Sequence, residues 1–401
     1  CPLGMEFVTI LMENRSNNNT SGNRSSITIS ALYTSTYVSV FIFNTSFHEH
    51  FILAANKTVL VSIENPAELG SNSKTVIIRA NSSIAVMSFT LNPDSTEPTI
   101  VYPVTYFGTE YYILTPKSRH QQSFTKFTVI NFGYMNLINV NISGSIFYNC
   151  TFYPAGSKLT FTLLEYETIQ IESDEDLTGS HIVSQYPVAV LSKTAATCFA
   201  GNTQVFEQLS PVCKWGTSFI VLPFSDQNSS DLVYVVASQD TNLQVQAGLT
   251  PKIISLSGGE TKELSLENSA PLVINATAGI MVMLYHERKT NSTLTKSTLM
   301  NVIPTEKFSS SYISISYPNF ESHIVLITNS SETSGVMVDK KTLSPNKTWR
   351  AIPGTEFSWT NFNITFGNGF HMVTHSSSLL GVYEYGIASF HSWSSTETCL
   401  D

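Results

Sequence analysis

Two pairs of histidines are close enough in sequence to be considered as ligands of one metal ion. His48 and His50 flank Glu49, so a β-strand would place both imidazoles on one face, where they could bind a transition-metal ion. No third ligand accompanies them in the sequence. His371 and His375 have helical spacing, but their neighbours are typical of a hairpin, in which the two rings would not converge. We therefore predict an exposed strand edge at His48 and His50, and no metal ion or other cofactor.

Recurring glutamates offer a second kind of chemistry. Glu6, Glu110 and Glu356 each follow a Gly-x pair, and a glycosidase would need two such carboxylates in one pocket. Because they recur in separate parts of the chain, a structural role is favoured, and a carboxylate-based glycoside hydrolase is the weakest functional hypothesis. The acidic run Glu172–Asp176 lacks the alternating Asp/Asn and Gly of a calcium loop, which favours a solvated turn.

Motifs of the large enzyme families are missing from the sequence. The chain has no Gly-x-Ser-x-Gly elbow, no Walker loop, no His-Glu-x-x-His pair and no complete dinucleotide-binding fingerprint. No nucleophile, metal or phosphate-binding constellation emerges from the residues that remain. We predict that the chain has no catalytic residues and is not an enzyme.

The amino-acid composition argues against a nucleic acid or a membrane as the partner of this chain. Only 13% of the 401 residues are charged, 42% are hydrophobic, and the formal net charge is −9. Nucleic acids and anionic membranes attract a concentrated positive field, and no Lys/Arg cluster supplies one. The longest strictly apolar stretches, such as Gly279–Tyr285, are far shorter than the ~20 residues that cross a bilayer. We predict no nucleic-acid partner and no membrane insertion in this sequence, whose start at Cys1 we interpret as a processing or cloning boundary.

Acceptor sites for N-glycosylation are the strongest indication of compartment. The pattern Asn-x-Ser/Thr marks a surface site that carries a glycan in a protein exported from the cell. Glycans would supply the solubility that so few charged residues cannot. We therefore predict an extracellular glycoprotein, secreted or on the cell surface. The predicted sites are Asn14, Asn18, Asn19, Asn23, Asn44, Asn56, Asn81, Asn141, Asn149, Asn228, Asn275, Asn291, Asn329, Asn346 and Asn363.

The five cysteines are an odd number, which leaves at least one without a partner inside the chain. Cys198 and Cys213 are close in sequence across a polar stretch, so we predict a disulfide bond between them, worth about 3 kcal/mol for so short a loop. Cys1 and Cys399 could pair with each other or with neighbouring domains, and Cys150 could be free. No Cys-x-x-Cys pair exists, so a zinc or thioredoxin-like site has no support.

A weak pattern recurs four times along the chain. Strands alternate apolar and polar residues and are separated by Gly, Asn, Asp and Ser turns about ten residues apart, which is typical of antiparallel β-sandwiches. Each copy closes with a short hairpin, which is an apolar segment, a turn and a second segment that ends in an aligned valine. These hairpins are Val76–Met87, Ile182–Leu191, Leu272–Met283 and Met372–Tyr383.

The repeat spacing fits one immunoglobulin-sized unit per copy. We therefore predict an all-β chain of four tandem, immunoglobulin-sized antiparallel β-sandwich modules. The predicted modules span residues 1–100, 101–205, 206–305 and 306–401.

Several segments resemble the N-terminal region of the IgG Fc-binding protein family. They are Pro187–Ser192 with Cys198, Val205–Pro211, Lys214–Val221, Asp231–Thr241 and Ile352–Ser358. The resemblance implies an extracellular module of mucus and cell-surface proteins, often followed by von Willebrand type D, EGF-like or other cysteine-rich repeats. It implies binding of the Fc portion of IgG in some members only. The heavier load of glycosylation sites here, above all in 14–25, departs from the family and puts a protein-binding surface near the N-terminus in doubt.

Two functional hypotheses of different classes therefore remain. One is a structural or adhesive scaffold in mucus, matrix or on a cell surface, with self-association as one option. The other is a recognition module for immunoglobulin, another extracellular protein or a glycan. No glycosylation site begins between Thr151 and Gln227, so we place candidate partner-binding residues in that interval. These candidates are Trp215, Thr194 and Phe206.

Overall fold

The structure is a computed structural model that describes most of the 401 residues. Within them the chain forms β-strands and four short 3₁₀ turns, and no α-helix. The prediction of an all-β fold is therefore confirmed. The described ranges are 3–10, 24–63, 75–91, 96–116, 122–198, 201–224, 229–248, 250–266, 270–289, 295–316, 321–344, 347–364, 369–387, 392–396 and 398–399.

The strands fall into four consecutive sets, three built on a seven-stranded sheet and the fourth on two five-stranded sheets. The first set contains β1 Gly4–Ile10, β2 Arg24–Ala31, β3 Thr36–Ile42, β4 His48–Leu53, β5 Lys57–Ile63, β6 Thr75–Leu91 and β7 Thr96–Val101. The second contains β8 Gly108–Tyr112, β9 Gln122–Asn131, β10 Asn136–Asn141, β11 Ile146–Tyr148, β12 Thr151–Tyr153, β13 Lys158–Leu163, β14 Thr168–Ser173, β15 His181–Cys198 and β16 Gly201–Gln208.

The third set contains β17 Gly216–Val221, β18 Ser229–Ala237, β19 Thr241–Ala247, β20 Pro251–Leu256, β21 Thr261–Leu266, β22 Leu272–Lys289 and β23 Thr295–Asn301. The fourth contains β24 Ser311–Ser316, β25 Glu321–Asn329, β26 Val336–Val338, β27 Lys341–Thr342, β28 Arg350–Ala351, β29 Phe357–Ile364, β30 Gly369–His375, β31 Leu380–Ile387, β32 Ser392–Thr396 and β33 Thr398–Cys399. The 3₁₀ turns are Val104–Tyr106, Val212–Lys214, Thr305–Lys307 and Thr333–Gly335.

The first three sets share one strand order. Their sheets run β4-β3-β6-β2-β5, β13-β10-β15-β9-β14 and β20-β19-β22-β18-β21, all antiparallel. In each set the opening strand and the closing strand also pair with the long strand, which is β6, β15 or β22. This repeated order is the structural counterpart of the repeat in the sequence.

The long strand takes part in both halves of each set because it bends. In the first set Glu6 pairs with Arg79, while Gly4, two residues earlier, pairs with Ile84. Five residues of β6 thus lie opposite two of β1, and such a bulge bends and curls a sheet. The sheet folds over a core that includes Phe7, none of whose surface is exposed.

The fourth set has the same pairing with a broken long strand. β30 ends at His375 and β31 begins at Leu380, so the set forms two five-stranded sheets instead of one curled sheet. β24 pairs with β30, while β25 and β32 pair with β31, as their equivalents pair with the two ends of β22. The intervening serines 376–378 form a bend where the other sets continue the strand.

The closing strands of the four sets form a closed ring. β7 lies beside β16, β16 beside β23, β23 beside β32, and β32 beside β7. The hydroxyl of Thr99 on β7 donates to the carbonyl of Phe206 on β16 at 2.7 Å. The first and last sets of the chain are therefore neighbours, although they are far apart in sequence.

Apolar clusters join each neighbouring pair of sets. Val8 and Ile77 of the first set pack with Leu191 and Phe206 of the second. The second and third sets share a core that contains both Tyr111 and Met283. Burial between sets stabilises the ring by about 25 cal/mol for each Å² of apolar surface removed from water.

The ring closes through two further clusters. Phe224 of the third set and Tyr385 of the fourth belong to one core, with ring centroids 4.5 Å apart. Ile313 of the fourth set packs with Ile100 and Tyr102 of the first. Each set is thus held by apolar contacts on both sides.

Candidate functional site

Three turns connect consecutive sets and share one construction. Each is a 3₁₀ turn that begins after a proline, namely Pro103, Pro211 or Pro304. Proline fixes φ near −65°, and here the three φ angles are −66°, −68° and −65°. Each proline carbonyl accepts a hydrogen bond from the N–H three residues later, at 2.8, 2.8 and 2.9 Å. The chain therefore turns in the same way at each junction.

A glycine at the start of each of the first three sets lies beneath the proline that follows that set. A side chain on this glycine would overlap the proline ring, because its Cβ would lie closer than 3.0 Å. The distances between such a Cβ and the proline Cβ are 2.4 Å for Gly4 and Pro103, 2.5 Å for Gly108 and Pro211, and 2.3 Å for Gly216 and Pro304.

An aromatic residue ends each junction turn, and Trp215 is one of the three. Its equivalents Phe107 and Phe308 are buried. Trp215 is half-buried, its Nε1 donates to the carbonyl of Ser210 at 3.0 Å, and its ring lies 5.9 Å from that of Tyr112. Trp215 thus packs the junction, and its contact with a partner stays a prediction.

The other two candidate partner-binding residues are buried, which corrects the expectation from sequence. Thr194 is 4% exposed and Phe206 is 8% exposed. Thr194 lies on β15 between Thr125 of β9 and Val205 of β16. With so little exposed surface, neither residue presents a contact area to a partner.

The cysteines also differ from expectation, because Cys213 is a free, exposed thiol. Its Sγ lies 3.2 Å from the Cβ position of Gly108, which pairs with Val188 of β15. Cys198 is ten residues farther along the same strand, where it pairs with Gly201, and a strand rises about 3.3 Å per residue. The predicted Cys198–Cys213 bridge is therefore not formed. Cys150, whose pairing the sequence left open, is a second free, exposed thiol.

A small pocket lies where the three junction turns meet, and we call it the axial pocket. Its cavity of about 60 Å³ is lined by Tyr106, Lys214, Lys307 and Trp215, among others. The Lys214 ammonium lies 5.6 Å from the ring centroid of Tyr106, and the Lys307 ammonium donates to the Lys214 carbonyl. Tyr106, Lys214 and Lys307 occupy the same position in their three turns.

A buried carboxyl group lies inside the ring of closing strands. Glu207 of β16 is 7% exposed, and its Oε1 accepts a hydrogen bond from Nδ2 of Asn301 of β23 at 3.1 Å. The same amide donates to the carbonyl of Gln208 at 3.2 Å, and the Gln208 side chain accepts from the N–H of Tyr102 at 3.0 Å. Burial raises the pKa of Glu207 to about 8, although the bond from Asn301 opposes the shift. Sequence reasoning missed this site because nothing in a strand pattern marks a buried glutamate.

An open cleft of about 610 Å³ lies on the first set, and we call it the outer cleft. It lies over β3 and β4 and contains the His48 and His50 pair, whose ring centroids are 4.1 Å apart. The Tyr37 hydroxyl and His50 Nδ1 are hydrogen-bonded at 2.6 Å. The outer cleft is lined by Tyr37, Ser39, Phe41, Ile42, Phe43, Asn44, Thr45, Phe47, His48, His50 and Arg79.

The remaining candidate side chains have separate structural partners. His371 is bonded to the Asp339 carboxylate at 2.8 Å, whereas His375 is bonded to the Glu332 carbonyl at 2.7 Å, so the two rings do not share a site. The recurring glutamates also lie apart. Glu6 pairs with Arg79 at 2.7 Å, Glu110 with His181 at 2.8 Å, and Glu356 accepts from Asn329 at 3.0 Å.

Eight predicted glycosylation sites lie in the described part of the chain. Asn329 is half-buried, and its Nδ2, the atom that would carry the glycan, donates to Glu356. The seven that are exposed are Asn44, Asn56, Asn81, Asn141, Asn149, Asn275 and Asn363. Those outside the described residues are Asn14, Asn18, Asn19, Asn23, Asn228, Asn291 and Asn346.

The second set carries an extra hairpin that the sequence did not reveal. β11 and β12 lie between β10 and β13, where the first and third sets have short connections. Phe147 and Phe152 pair directly across the hairpin and are 69% and 61% exposed. Its two-residue turn holds Asn149 and Cys150, both at positive φ, as hairpin turns of this length require.

Membrane-spanning helices and metal-binding clusters are both absent from the described ranges. No helix there is long and apolar enough to cross a membrane. In the same ranges, no three His, Cys, Asp or Glu side chains are grouped closely enough to hold a metal ion.

Comparisons with solved structures give only weak similarity. A biofilm-associated protein (BSP domain) aligns with 100% of this chain and 96% of its own at 7% identity, with a TM-score of 0.18. A structure titled "Ca2+-stabilized adhesin helps an Antarctic bacterium reach out and bind ice" aligns with 99% of this chain and 98% of its own at 9% identity, with a TM-score of 0.14. Neither score is high enough to carry an argument.

Sequence comparisons are far stronger. A human protein named IgGFc-binding protein is 31% identical over 350 residues, which is 86% of this chain. The chain spans about 6% of the length of that relative. The family model described as IgGFc binding protein matches residues 97–386, which include the junction turns and most of the last three strand sets. The chain therefore belongs to the IgGFc-binding protein family.

Proposed function

We propose that this chain is a non-catalytic, N-glycosylated extracellular scaffold of a larger secreted or cell-surface protein of the mucus or matrix type. Its four strand sets are four β-sandwich modules that hold one another in a closed ring. The boundaries follow the repeat at 1–100, 101–205, 206–305 and 306–401. The end of β16 at Gln208 supports a second boundary a few residues later than the repeat suggests.

The closed ring of β7, β16, β23 and β32 is the observation that carries this proposal. A chain of modules joined end to end would expose flexible junctions, whereas each set here has a neighbour on both sides. Exposed positions of the same sets carry glycosylation sites such as Asn81, Asn141 and Asn275. A rigid core with glycans outside suits a protein that must resist proteases in mucus or matrix.

Native digestion with chymotrypsin tests the scaffold directly. Chymotrypsin cuts after large aromatic residues, and every junction turn ends with one: Phe107, Trp215 and Phe308. The closed ring holds these junctions folded, so we expect the core of the chain to survive while the same enzyme cuts denatured protein rapidly. Rapid native release of fragments of single-module size would overturn the proposal. Glycopeptide mass spectrometry would show in parallel whether the seven exposed sites are occupied.

Recognition of an extracellular protein is the second candidate function, and the β11–β12 hairpin favours it. Phe147 and Phe152 form an exposed aromatic pair on an added element, and exposed aromatic residues are common anchors of protein interfaces. The family name makes the Fc portion of IgG the first partner to test. A glycan on Asn149, at the tip of the hairpin, would compete with this contact.

Surface plasmon resonance with immobilised Fc distinguishes the two candidates. If the hairpin binds Fc, Phe147→Ser together with Phe152→Ser should weaken binding at least about tenfold, which corresponds to 1.4 kcal/mol. Ile253→Ser on β20, where the side chain is 78% exposed, is the matched control and should leave binding unchanged. Thr151→Ala, which removes the Asn149 site, should strengthen binding. Absence of Fc binding in all variants would leave the scaffold without this activity.

A further inference from the structure

The outer cleft has an attachment point for a carbohydrate in its own wall. Asn44 lines the cleft and lies in the exposed turn between β3 and β4, at a φ of 58°. The turn is closed by the N–H and hydroxyl of Thr45, which donate to the Ile42 carbonyl at 3.2 and 2.9 Å. The Asn44 carboxamide itself takes part in no hydrogen bond with another described residue. Its nitrogen is therefore available for glycosylation.

A small residue between larger ones gives the outer cleft its shape. Ser39 on β3 lies opposite His50 of β4 on one side and Arg79 of β6 on the other. Tyr37 and Phe41 precede and follow it on the same face, because side chains alternate along a strand. The result is a depression with a serine floor and walls of aromatic rings and one guanidinium.

The walls of the outer cleft suit a sugar ring. The Tyr37 and His50 rings are stacked 5.6 Å apart, and Tyr37 is 43% exposed. The Arg79 guanidinium lies 5.3 Å from the centroid of the Phe41 ring. Aromatic faces carry partial negative charge and attract the polarised C–H groups of a pyranose, while imidazole and guanidinium groups offer hydrogen bonds to its hydroxyls.

We propose that the N-linked glycan on Asn44 folds back into the outer cleft and occupies it. This inference rests on the proposed N-glycosylation. The occupant is the chain's own glycan and not a free sugar, because its point of attachment is part of the cleft wall. In the attachment step, the amide nitrogen bonds to C1 of the first sugar of a lipid-diphosphate oligosaccharide, the C1–O bond to the diphosphate breaks, and the amide loses one proton.

Asn56 provides a matched control within the same strand set. It also lies in a tight turn, is exposed, and has a φ of 60°. Its sequence neighbours are Ala54, Ala55 and Lys57, and no aromatic residue lies within four positions. A glycan there has a similar backbone setting but is not attached to the wall of the outer cleft.

Release of the glycans by peptide N-glycosidase under native conditions is the test, with site-by-site mass spectrometry as the readout. The glycosidase can reach a glycan seated in the cleft only while that glycan has left the cleft. Release at Asn44 should therefore be at least about tenfold slower than at Asn56. Ser39→Leu fills the cleft floor on the half-exposed outer face and should abolish this difference, as should denaturation. Circular dichroism of the variant shows that the fold is kept.

Each outcome has a distinct meaning. If Asn44 carries a glycan that is released as fast as the glycan on Asn56, the proposal of a glycan seated in the cleft is wrong. The proposed glycosylation of the chain is then unaffected. Slow release that Ser39→Leu does not change also overturns it, since the protection then comes from elsewhere. An empty Asn44 beside other occupied sites overturns this inference alone, whereas empty sites throughout would overturn the proposed glycosylation as well.

Discussion

Gly108 lies directly beneath Pro211, so close that a Cβ on the glycine would be 2.5 Å from the Cβ of the proline. The two residues are at opposite ends of the second strand set, and their contact brings the opening strand under the junction turn that follows. The N–H of Gly108 also donates to the Tyr111 hydroxyl at 3.0 Å, and this hydroxyl donates to the Val188 carbonyl at 2.6 Å. The glycine therefore fixes the entry to the set through both packing and a buried hydrogen-bond bridge.

Gly108→Ala should destabilise the chain by about 1–3 kcal/mol, since the added methyl group must push either β8 or the Pro211 turn out of place. Thermal unfolding followed by circular dichroism measures the change. Gly279→Ala is the matched control, because its Cβ would lie at an ordinary 3.5 Å from Trp215 and Ser238. Equal melting temperatures for the two variants would show that the glycine–proline contact does not constrain the junction.

Glu207 should make the stability of the ring depend on pH. Burial raises its folded pKa to about 8 from an ordinary 4.5, so between these values the folded chain holds a proton that the unfolded chain has lost. The part of the free energy of unfolding that depends on the proton of Glu207 is fully present below pH 4.5. It is lost as the pH rises to about 8, by up to about 1.4 kcal/mol per pH unit.

Glu207→Gln keeps an oxygen to accept from Asn301 and removes the titrating proton. The variant should therefore be more stable than the parent at pH 8, and the difference should shrink towards pH 4.5. Urea unfolding at several pH values provides the measurement. If parent and variant have parallel pH profiles, the carboxyl is not buried inside the ring.

The thiols of Cys150 and Cys213 should react with iodoacetamide in the native protein, because both are exposed. Non-reducing peptide mapping should then find neither joined to Cys198. A peptide that links Cys198 to Cys213 would mean that the β15–β16 hairpin does not extend away from the junction as the strand pairing requires.

The repeat and the strand type could be predicted because they depend on local pattern. Alternation of apolar and polar residues determines which face of a strand is buried, and the recurring hairpins indicate where each copy ends. The structure adds that each of the first three sets opens at a glycine, which is Gly4, Gly108 or Gly216. The fourth opening is less clear because Ser309 replaces glycine there, yet its N–H still donates to the Tyr312 hydroxyl at 3.0 Å. The aromatic residue three positions after each opening is fully or almost fully buried: Phe7, Tyr111, Phe219 and Tyr312.

Contacts between strand sets could not be predicted, because no short-range pattern encodes them. Thr194 and Phe206 belong to an interval without glycosylation sites, and sequence alone does not distinguish a bare surface from one buried against a neighbour. Cys198 and Cys213 are close in sequence, but the long hairpin of β15 and β16 carries one of them away from the other. The outer cleft depends on Ser39, Arg79 and His50 meeting from three strands.

Small-angle X-ray scattering of the enzymatically deglycosylated chain distinguishes a closed ring of the four sets from a row of separate modules. A compact body of 401 residues has a radius of gyration of about 21 Å, whereas a row of four separate modules would have one of about 40 Å. The closed ring predicts a value near the first figure and a single compact distance distribution. A value near the second, with an elongated distribution, would contradict it.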